Sequence, residues 1–508
     1  MNNSLSQRFA DYKSQAGGRV LILFLLFLLA LYEFYSMGIT GYALVCMIPL
    51  SIVFIIFSFQ HKMVVFWYIF IINYTIMGLT RYYAVSIPIT VLTIIPQIFL
   101  LAVCIWDIRD YPNAKYGNLM TLAIIIWTAY VLLQLFNQTC MLPISFTAWA
   151  MNFLFYGLSF ILIYVIITYL FRTPERIMKL LRIWAYMALI ADFWAWRQQN
   201  IGWDDTEWGW LMAVGGRTHL IGGSIRYFSF FSDAANYGCS IAASAVVFYI
   251  VAITTKLRKD KILFFIAALF STYGFFASGT RTALVCFMAG VFLYVILSKS
   301  FKIAVPVMIL GALFYGFLAF TDIGQGNMQI RRMRSAFNKN DASANVREIN
   351  KAALAKYLRD APFGMGFNID EENVPANHKY KKVYETSNDS TYVFMWQRVG
   401  IVGAVLFAIV NGMILVGGCI ITMFKLKCKK CIGIAAGMCC AFFAIQLGGY
   451  ANHILTQYPN LLLYYGGMAI VYLLPDIEQE FVTYENKLVA EQEERKRLKL
   501  EKKRLSRV

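Results

Sequence analysis

Apolar runs of about 18 or more residues recur along this chain from Val20 to Leu474, each long enough to cross a bilayer as a helix. Repeated that often, the pattern leaves few folds open. Backbone in hydrocarbon must satisfy its own hydrogen bonds, so the chain reads as an all-α, polytopic membrane protein. Composition agrees, with 59% hydrophobic and 15% charged residues against roughly 25% charged in soluble domains. No clear small-residue cleavage site follows the first run, which is therefore expected to remain as a span.

Fourteen spans are expected, at about 20–36, 38–59, 63–80, 86–106, 118–136, 149–171, 177–196, 226–253, 262–278, 281–298, 303–320, 399–424, 431–451 and 458–475. With the N-terminus inside, the inside segments are 1–19, 60–62, 107–117, 172–182, 254–261, 299–302, 425–430 and 476–508. They carry 29 of the 46 lysines and arginines, and 11 of the other 17 fall in one long outer loop, 321–390. Positive charge in short loops marks the cytoplasmic side, whereas long loops translocate largely regardless of charge. The expected order is a cytoplasmic N-terminus (1–19), eleven spans over 20–320, the outer loop (321–390) with a short helix, three spans over 391–475, and a basic cytoplasmic tail (476–508). The net charge of +18 follows the spans, so no nucleic-acid partner is expected. The tail can rest on anionic lipid or be a solvated helix that fixes topology. Cys428 and Cys431 form a lone CxxC with no second pair and no nearby histidine, and neither a metal site nor a cofactor is expected.

Three arginines have no place in this scheme. Arg281, in FFASGTRTALVCF, falls at the outer end of the tenth span; Arg226, in IRYFSFFSDAANYG, at the outer end of the eighth; Arg347 in the outer loop. An arginine well inside a span costs about 2.5–3.5 kcal/mol on insertion scales. One near a helix end can snorkel to the interface. Together on one side, they suit phosphate or pyrophosphate, which a guanidinium meets with a planar fork of donors. Asp233 and Asn236 follow Arg226, and either Ser232 or Asp233 can cap the eighth helix. A helix through this segment would put Arg226 and Asp233 on one face. In NVREINKAALAKYLRDAPFGMGFN, Asn345 and Glu348 have capping-box spacing. This predicts a helix of about four turns with Arg347 in its first turn, ended by Pro362, Gly364 and Gly366. Asp389, just before the twelfth span, is either an N-cap or a carboxylate beside the arginines, available as a general base.

Four stretches carry a resemblance. IRYFSFFSDAANYG, ASGTRTALV, NVREINKAALAKYLRDAPFGMGFN and NDSTYVFMWQRVGIVG, in that order between Arg226 and Gly403, resemble motifs of the O-antigen ligase and polymerase superfamily of bacterial envelope glycan assembly. The resemblance implies a metal-independent, lipid-donor glycosyltransferase of the bacterial inner membrane, with both termini cytoplasmic and the loop 321–390 periplasmic. The implied donor is a glycan on undecaprenyl pyrophosphate. Arg226, Arg281, Arg347, Asp233 and Asn236 are the implied substrate-binding residues, and Arg281 and Asp389 the implied catalytic ones. Ligases of this superfamily usually carry a histidine eleven residues before a Gly-x-x-Gly turn; here that glycine is Gly400, and the position holds Asp389, followed by Ser390. The departure favours a polymerase extending lipid-linked repeat units into O-antigen or a related surface polysaccharide. A ligase transferring the glycan to lipid A core is the alternative. An aspartate, with an ordinary pKa near 3.9, is a weak base beside arginines. A transporter or flippase for lipid-linked glycan is the rival from another class, disfavoured by the lack of a clear repeat between the halves and by the long outer loop. Besides membrane lipids, the resemblance leaves room for a polysaccharide chain-length regulator and a flippase as partners.

Overall fold

The computed structural model describes residues 28–29, 32, 55–82, 89–106, 116–221, 224–326, 328–334, 342–387 and 389–505. They fall into two units, one ending at Phe66 and one running from Trp67, and the candidate site lies wholly in the second. The N-terminal segment 1–19 and most of the first two expected spans lie outside the described residues.

The helices that matter below are α1 (Lys62–Tyr82), α2 (Ile89–Trp106), α3 (Leu119–Leu133), α4 (Phe146–Leu170), α5 (Pro174–Asn200), α6 (Asp205–Trp210), α7 (Ala234–Thr254), α8 (Arg258–Ala277), α9 (Arg281–Ser298), α10 (Phe301–Phe320), α11 (Met328–Arg334), α12 (Ala342–Leu358), α13 (Thr391–Ile420), α14 (Lys429–Ala451) and α15 (Gly466–Leu505). A helix underlies each expected span from the third to the fourteenth. Among the described residues, nine helices are long and apolar enough to cross a membrane: α1, α3, α4, α7, α8, α9, α13, α14 and α15 with their end turns. The chain is thus an all-α, multi-pass membrane protein. Among the described residues, the strands are β1 (Leu220–Ile221) and β2 (Ser224–Ile225), two residues each, paired antiparallel.

α7 and α14 form the centre, each with 83% of its most apolar window buried, against 33% for α9. Their small residues, AANYGCSIAASAV in α7 and IAAGMCCAFFA in α14, let backbones approach closely where lipid supplies no hydrophobic drive. α5 is too polar to count as a span by composition, yet it buries Trp184, Ala188 and Asp192. The Asp192 carboxylate accepts from the Tyr237 hydroxyl (2.9 Å) and the Ser271 hydroxyl (3.0 Å), which satisfies it inside the bundle.

Two expectations are corrected. The eighth helix begins at Ala234, not at Arg226, so Arg226 and Asp233 do not share a helical face. The stretch Tyr227–Ser232 is as apolar as a span, but it forms a buried turn, and hydrophobicity alone does not separate the two. The loop helix α12 begins at Ala342. Asn345 is therefore inside it, the capping box is not made, and Arg347 falls in the second turn. The alanine-rich lead-in Ala342–Ala344 favours helix, and Glu348 pairs with Lys351 (3.2 Å) instead of reaching back.

Leu354, Leu358, Met365, Ile369, Tyr380 and Val383 of the outer loop form a small core together with Cys140 from the loop between α3 and α4. The outer loop is also pinned to α13. Gly400 breaks that helix with φ 67° and ψ −176°, which frees carbonyls upstream of the break. The loop end PFGMG fills the gap: Met365 N–H donates to Gln397 O (2.9 Å), Gly366 N–H to Arg398 O (2.8 Å), and Val402 N–H to Pro362 O (3.2 Å). Gly364 and Gly400 meet backbone to backbone, with no room for a Cβ on either.

Candidate active site

The site forms where the N-termini of α7, α9 and α13 meet the C-termini of α1 and α14. Asp233 is the N-cap of α7, accepting from Ala235 N–H (2.7 Å) and Asn236 N–H (2.9 Å). Ser232 Oγ lies 3.0 Å from Asp233 Oδ2 and 2.8 Å from Gln457 Oε1, and its proton serves one of them. Asn236 is fully buried. It donates to Ser232 Oγ and Tyr458 O (2.9 Å each) and accepts from Asn460 Nδ2 (2.7 Å). Its amide is used in fastening the loop after α14 onto the start of α7.

Arg226 leaves the hairpin and points across to the start of α9. Nη1 donates to Thr218 O (2.9 Å) and Nη2 to Thr280 Oγ1 (2.7 Å). Thr280 in turn donates to Ala234 O (2.8 Å), so one hydroxyl links the arginine, the α9 cap and the first turn of α7. Arg226 Nε is buried with no hydrogen-bond partner among the described residues. Burial pushes the guanidinium below its ordinary pKa. Asp233 opposes that shift, and Arg281 and Arg347 add to it. Arg281 is the first residue of α9, after the turn at Gly279, whose φ is 57°.

A fourth arginine joins this group. A Cβ placed on Gly279 would meet Arg332 Cδ at 3.4 Å and Arg226 Cγ at 3.7 Å, which puts the two stems within about 7 Å of each other. Arg332 lies on α11, and the sequence reading counted it only among the charges of the outer loop. Its neighbour Arg334 turns away to bond Thr321 Oγ1 (3.3 Å) and Ile323 O (2.6 Å) at the end of α10.

Arg347 and Asp389 face each other, Nε to Oδ2, at 3.9 Å, with 30% and 52% of their side chains exposed. They share a shallow cleft with Asn350, Lys351, Ser390 and Tyr450. Asp389 also accepts from Ser387 Oγ (3.1 Å). It is not the helix cap, because Ser390 takes that position on α13 and accepts from Val393 N–H (3.4 Å).

Two histidines border the site. His219 is buried, with Nδ1 at 2.9 Å from Gly215 O and Nε2 accepting from Ala234 N–H (3.3 Å), an arrangement that fits a neutral ring protonated on Nδ1. His453 lies in the loop after α14. That loop is held to the start of α13 by Thr391, whose N–H donates to Asn452 O (3.3 Å) and whose hydroxyl accepts from Ile454 N–H (3.0 Å). The His453 ring tilts at 30° on Phe394, centroids 4.6 Å apart. Burial pushes it down to about 4; Asp233 opposes and Arg398 adds to the shift, so it is neutral near pH 7. A search for histidine in the register of Gly400 misses it, since it comes from a different loop.

Arg81, at the end of α1, is also missing from the sequence reading. It donates to the carbonyls of Ser229 (3.1 Å), Phe231 and Ser232 (3.2 Å), with Trp210 and Phe228 rings 4.4 and 4.3 Å from its guanidinium carbon. It holds the buried turn before Asp233. Arg398 is likewise structural, bonded to Glu371 between the Tyr384 and Phe394 rings.

Residues 265–408 match the Wzy_C family, described as O-antigen ligase. This match supports the resemblance to the O-antigen ligase and polymerase superfamily. Members of the Wzy_C family are glycosyltransferase-like enzymes, polymerases or ligases. The Wzy_C segment contains Arg281, Arg332, Arg347, Asp389 and the Gly364–Gly400 contact, while Arg226, Asp233, Asn236 and His453 reach the same site from outside it. No curated protein matches the chain.

Proposed function

We propose that this protein polymerises oligosaccharide repeat units carried on undecaprenyl pyrophosphate, at the outer face of the bacterial inner membrane and without a metal. The observation that carries the reading is the convergence of Arg226, Arg281, Arg332 and Arg347 at one end of the bundle, with Arg226 desolvated among like charges. Gathering cations is unfavourable until a polyanion arrives, and a lipid-linked diphosphate at the membrane surface is such a ligand. In the reaction, an acceptor sugar hydroxyl attacks the anomeric carbon of the donor glycan. The bond from that carbon to the diphosphate oxygen breaks, and the electron pair leaves on the diphosphate. The arginines stabilise the charge gathering there. The hydroxyl proton passes to a base, for which Asp389 is the candidate within the Wzy_C segment. Displacement in one step inverts the anomeric carbon. Asp233 and Asn236 shape the site by fixing the α7 terminus and the loop 457–460.

A ligase is favoured by one observation, the family's own description as O-antigen ligase. The deciding experiment supplies purified protein with a lipid-pyrophosphate-linked repeat unit, without added metal, and resolves the products on a glycan gel. A ladder of lengthening products supports the polymerase. Transfer only after a lipid A core acceptor is added supports the ligase. Intact protein with no transfer under either condition sinks both.

A further inference from the structure

The start of α14 carries a pair of thiols that the proposed reaction does not use. α14 has 23 residues and ends at the arginine site, so its start lies at the other end of the bundle, about 33 Å away along the helix. Cys428 is the N-cap of α14, and Cys431 lies in its first turn. The Cys428 carbonyl accepts from Ile432 N–H (2.9 Å), so Cys428 already follows the helical path. At helical rise and radius, the two Cα atoms are about 5 Å apart, inside the range of about 4.4–6.8 Å that a disulfide spans. The loop before them is held to α15, where Glu478 Oε1 accepts from Lys427 N–H and from Cys428 N–H (2.6 Å each).

The two sulfurs differ in access and in charge. Cys428 is part-exposed and Cys431 is fully buried. Among the other described cysteines only Cys419 is part-exposed, and it lies within the span of α13. The adjacent Cys431 thiol pushes Cys428 below the ordinary thiol range; burial opposes that shift, and the amides of Cys431 and Lys430 add to it. Lys430, 4% exposed, has a buried Nζ with no hydrogen-bond partner among the described residues. Its charge is in electrostatic reach of Cys428 as well as of Asp260 and Glu485. A reachable thiolate with a buried thiol one turn along is the arrangement that exchanges disulfides, whereas cysteines that merely fill space are buried alike. A metal centre would need further ligands, and among the described residues no group of three or more His, Cys, Asp or Glu side chains is placed to hold one.

We propose that Cys428 and Cys431 form a thiol–disulfide exchange site that takes an anionic, low-molecular-weight disulfide. The Cys428 thiolate attacks one sulfur of that disulfide, its S–S bond breaks, and the first thiolate leaves. Cys431 then attacks the Cys428 sulfur, the mixed disulfide breaks, and the second thiolate leaves with the Cys431 proton. The protein dithiol is oxidised by two electrons to an intramolecular disulfide, and the small disulfide is reduced to one thiolate and one thiol. Lys425, Lys427 and Lys429 are exposed around Cys428, and their charge favours an anionic disulfide over a cationic one.

The test uses full-length protein in nanodiscs, reduced and then treated with glutathione disulfide at neutral pH. Remaining thiols are alkylated, and each cysteine is mapped by mass spectrometry. Cys428 and Cys431 should become linked about tenfold faster than Cys419 is modified. C431S should stop at a glutathione adduct on Cys428, and in C428S the buried Cys431 should stay free. Cystamine, a cationic disulfide, should react about fivefold more slowly than glutathione disulfide, each rate taken relative to the same reagent's rate with free cysteine. Wild-type protein that keeps both thiols free overturns the proposal, and that arm decides even if the variants fail to fold. So does folded C431S that forms no adduct at Cys428. Cystamine reacting as fast as glutathione disulfide on that relative scale overturns the anionic assignment. No arm depends on glycosyl transfer.

Discussion

Replacing Gly400 with alanine should release the outer loop from α13. The native φ of 67° with ψ −176° lies in a region essentially restricted to glycine, and another residue there costs about 1–3 kcal/mol. The added Cβ would lie 2.0 Å from Pro362 O and 2.4 Å from Gly364 N, both backbone atoms, so no rotamer change relieves the clash. Straightening the helix relieves it, at the expense of the three hydrogen bonds that dock PFGMG. Each is worth about 0.5–1.5 kcal/mol net. Those bonds oppose undocking equally in both proteins, so the substitution shifts the docking equilibrium by the backbone strain, about 1–3 kcal/mol before the clash is counted, and with about 1.4 kcal/mol per decade that is a loss of at least about fivefold. Hydrogen exchange reads it directly: protection at the Met365 and Gly366 amides should fall by that factor, while α7 and α14 stay protected. Transfer activity should fall too, because α12 and Arg347 are carried by the same loop. Gly412→Ala is the control, since its Cβ meets nothing within 4 Å, and it should gain up to about 1 kcal/mol of helix propensity. Unchanged protection at Met365 and Gly366 in a folded Gly400→Ala protein would refute the reasoning.

Arg281→Ala should abolish transfer in protein that still inserts and folds, and Arg281→Lys should also be impaired if a forked contact is needed; normal product from either would count against the diphosphate site. Arg332→Ala should weaken donor use, read as a raised KM for the lipid-linked donor, whereas Arg331→Ala, at an exposed neighbouring position, should not. Asp389→Asn and His453→Gln separate the two candidate proton acceptors: the one whose loss lowers kcat and removes the acidic limb of its pH profile is the base. Stability should fall as pH drops from 6.5 towards 4. His219 is held neutral with its pKa pushed down to about 4, mainly by burial, so the unfolded chain binds the extra proton in that window; the cost is about 3 kcal/mol for this fully buried ring, and a flat stability profile from pH 7 to 4 would contradict it.

The spans were legible because each run is apolar over a bilayer's width, a signal that needs no knowledge of its neighbours. The errors fall where hydrophobicity has two causes. Tyr227–Ser232 is apolar because it is a buried turn under Arg81, not because it crosses lipid, and the local cue that separates the two, the cap at Asp233, was visible but outweighed by the run. At α12 the reverse occurred: Asn345 and Glu348 have the spacing of a cap, but Ala342–Ala344 extend the helix past it.

The site was legible only in part, for a topological reason. Arg281 and Asp389 mark helix starts, and a charge at the end of an apolar run stands out in any sequence. Arg332 does not stand out among the three arginines of the seven residues Met328–Arg334, and its approach to Gly279 distinguishes it from Arg334, which caps α10. His453 follows α14 in the chain yet lies against Phe394 and in electrostatic reach of Asp233, because helices running in opposite directions bring the C-terminus of one beside the N-terminus of another. A motif search along the chain scans registers within one segment. A site assembled from helix ends takes its members from whichever segments finish at that level. For that reason the histidine missing from the position of Asp389 does not establish that the site lacks one, and the comparison of Asp389→Asn with His453→Gln bears on the mechanism more directly than the motif does.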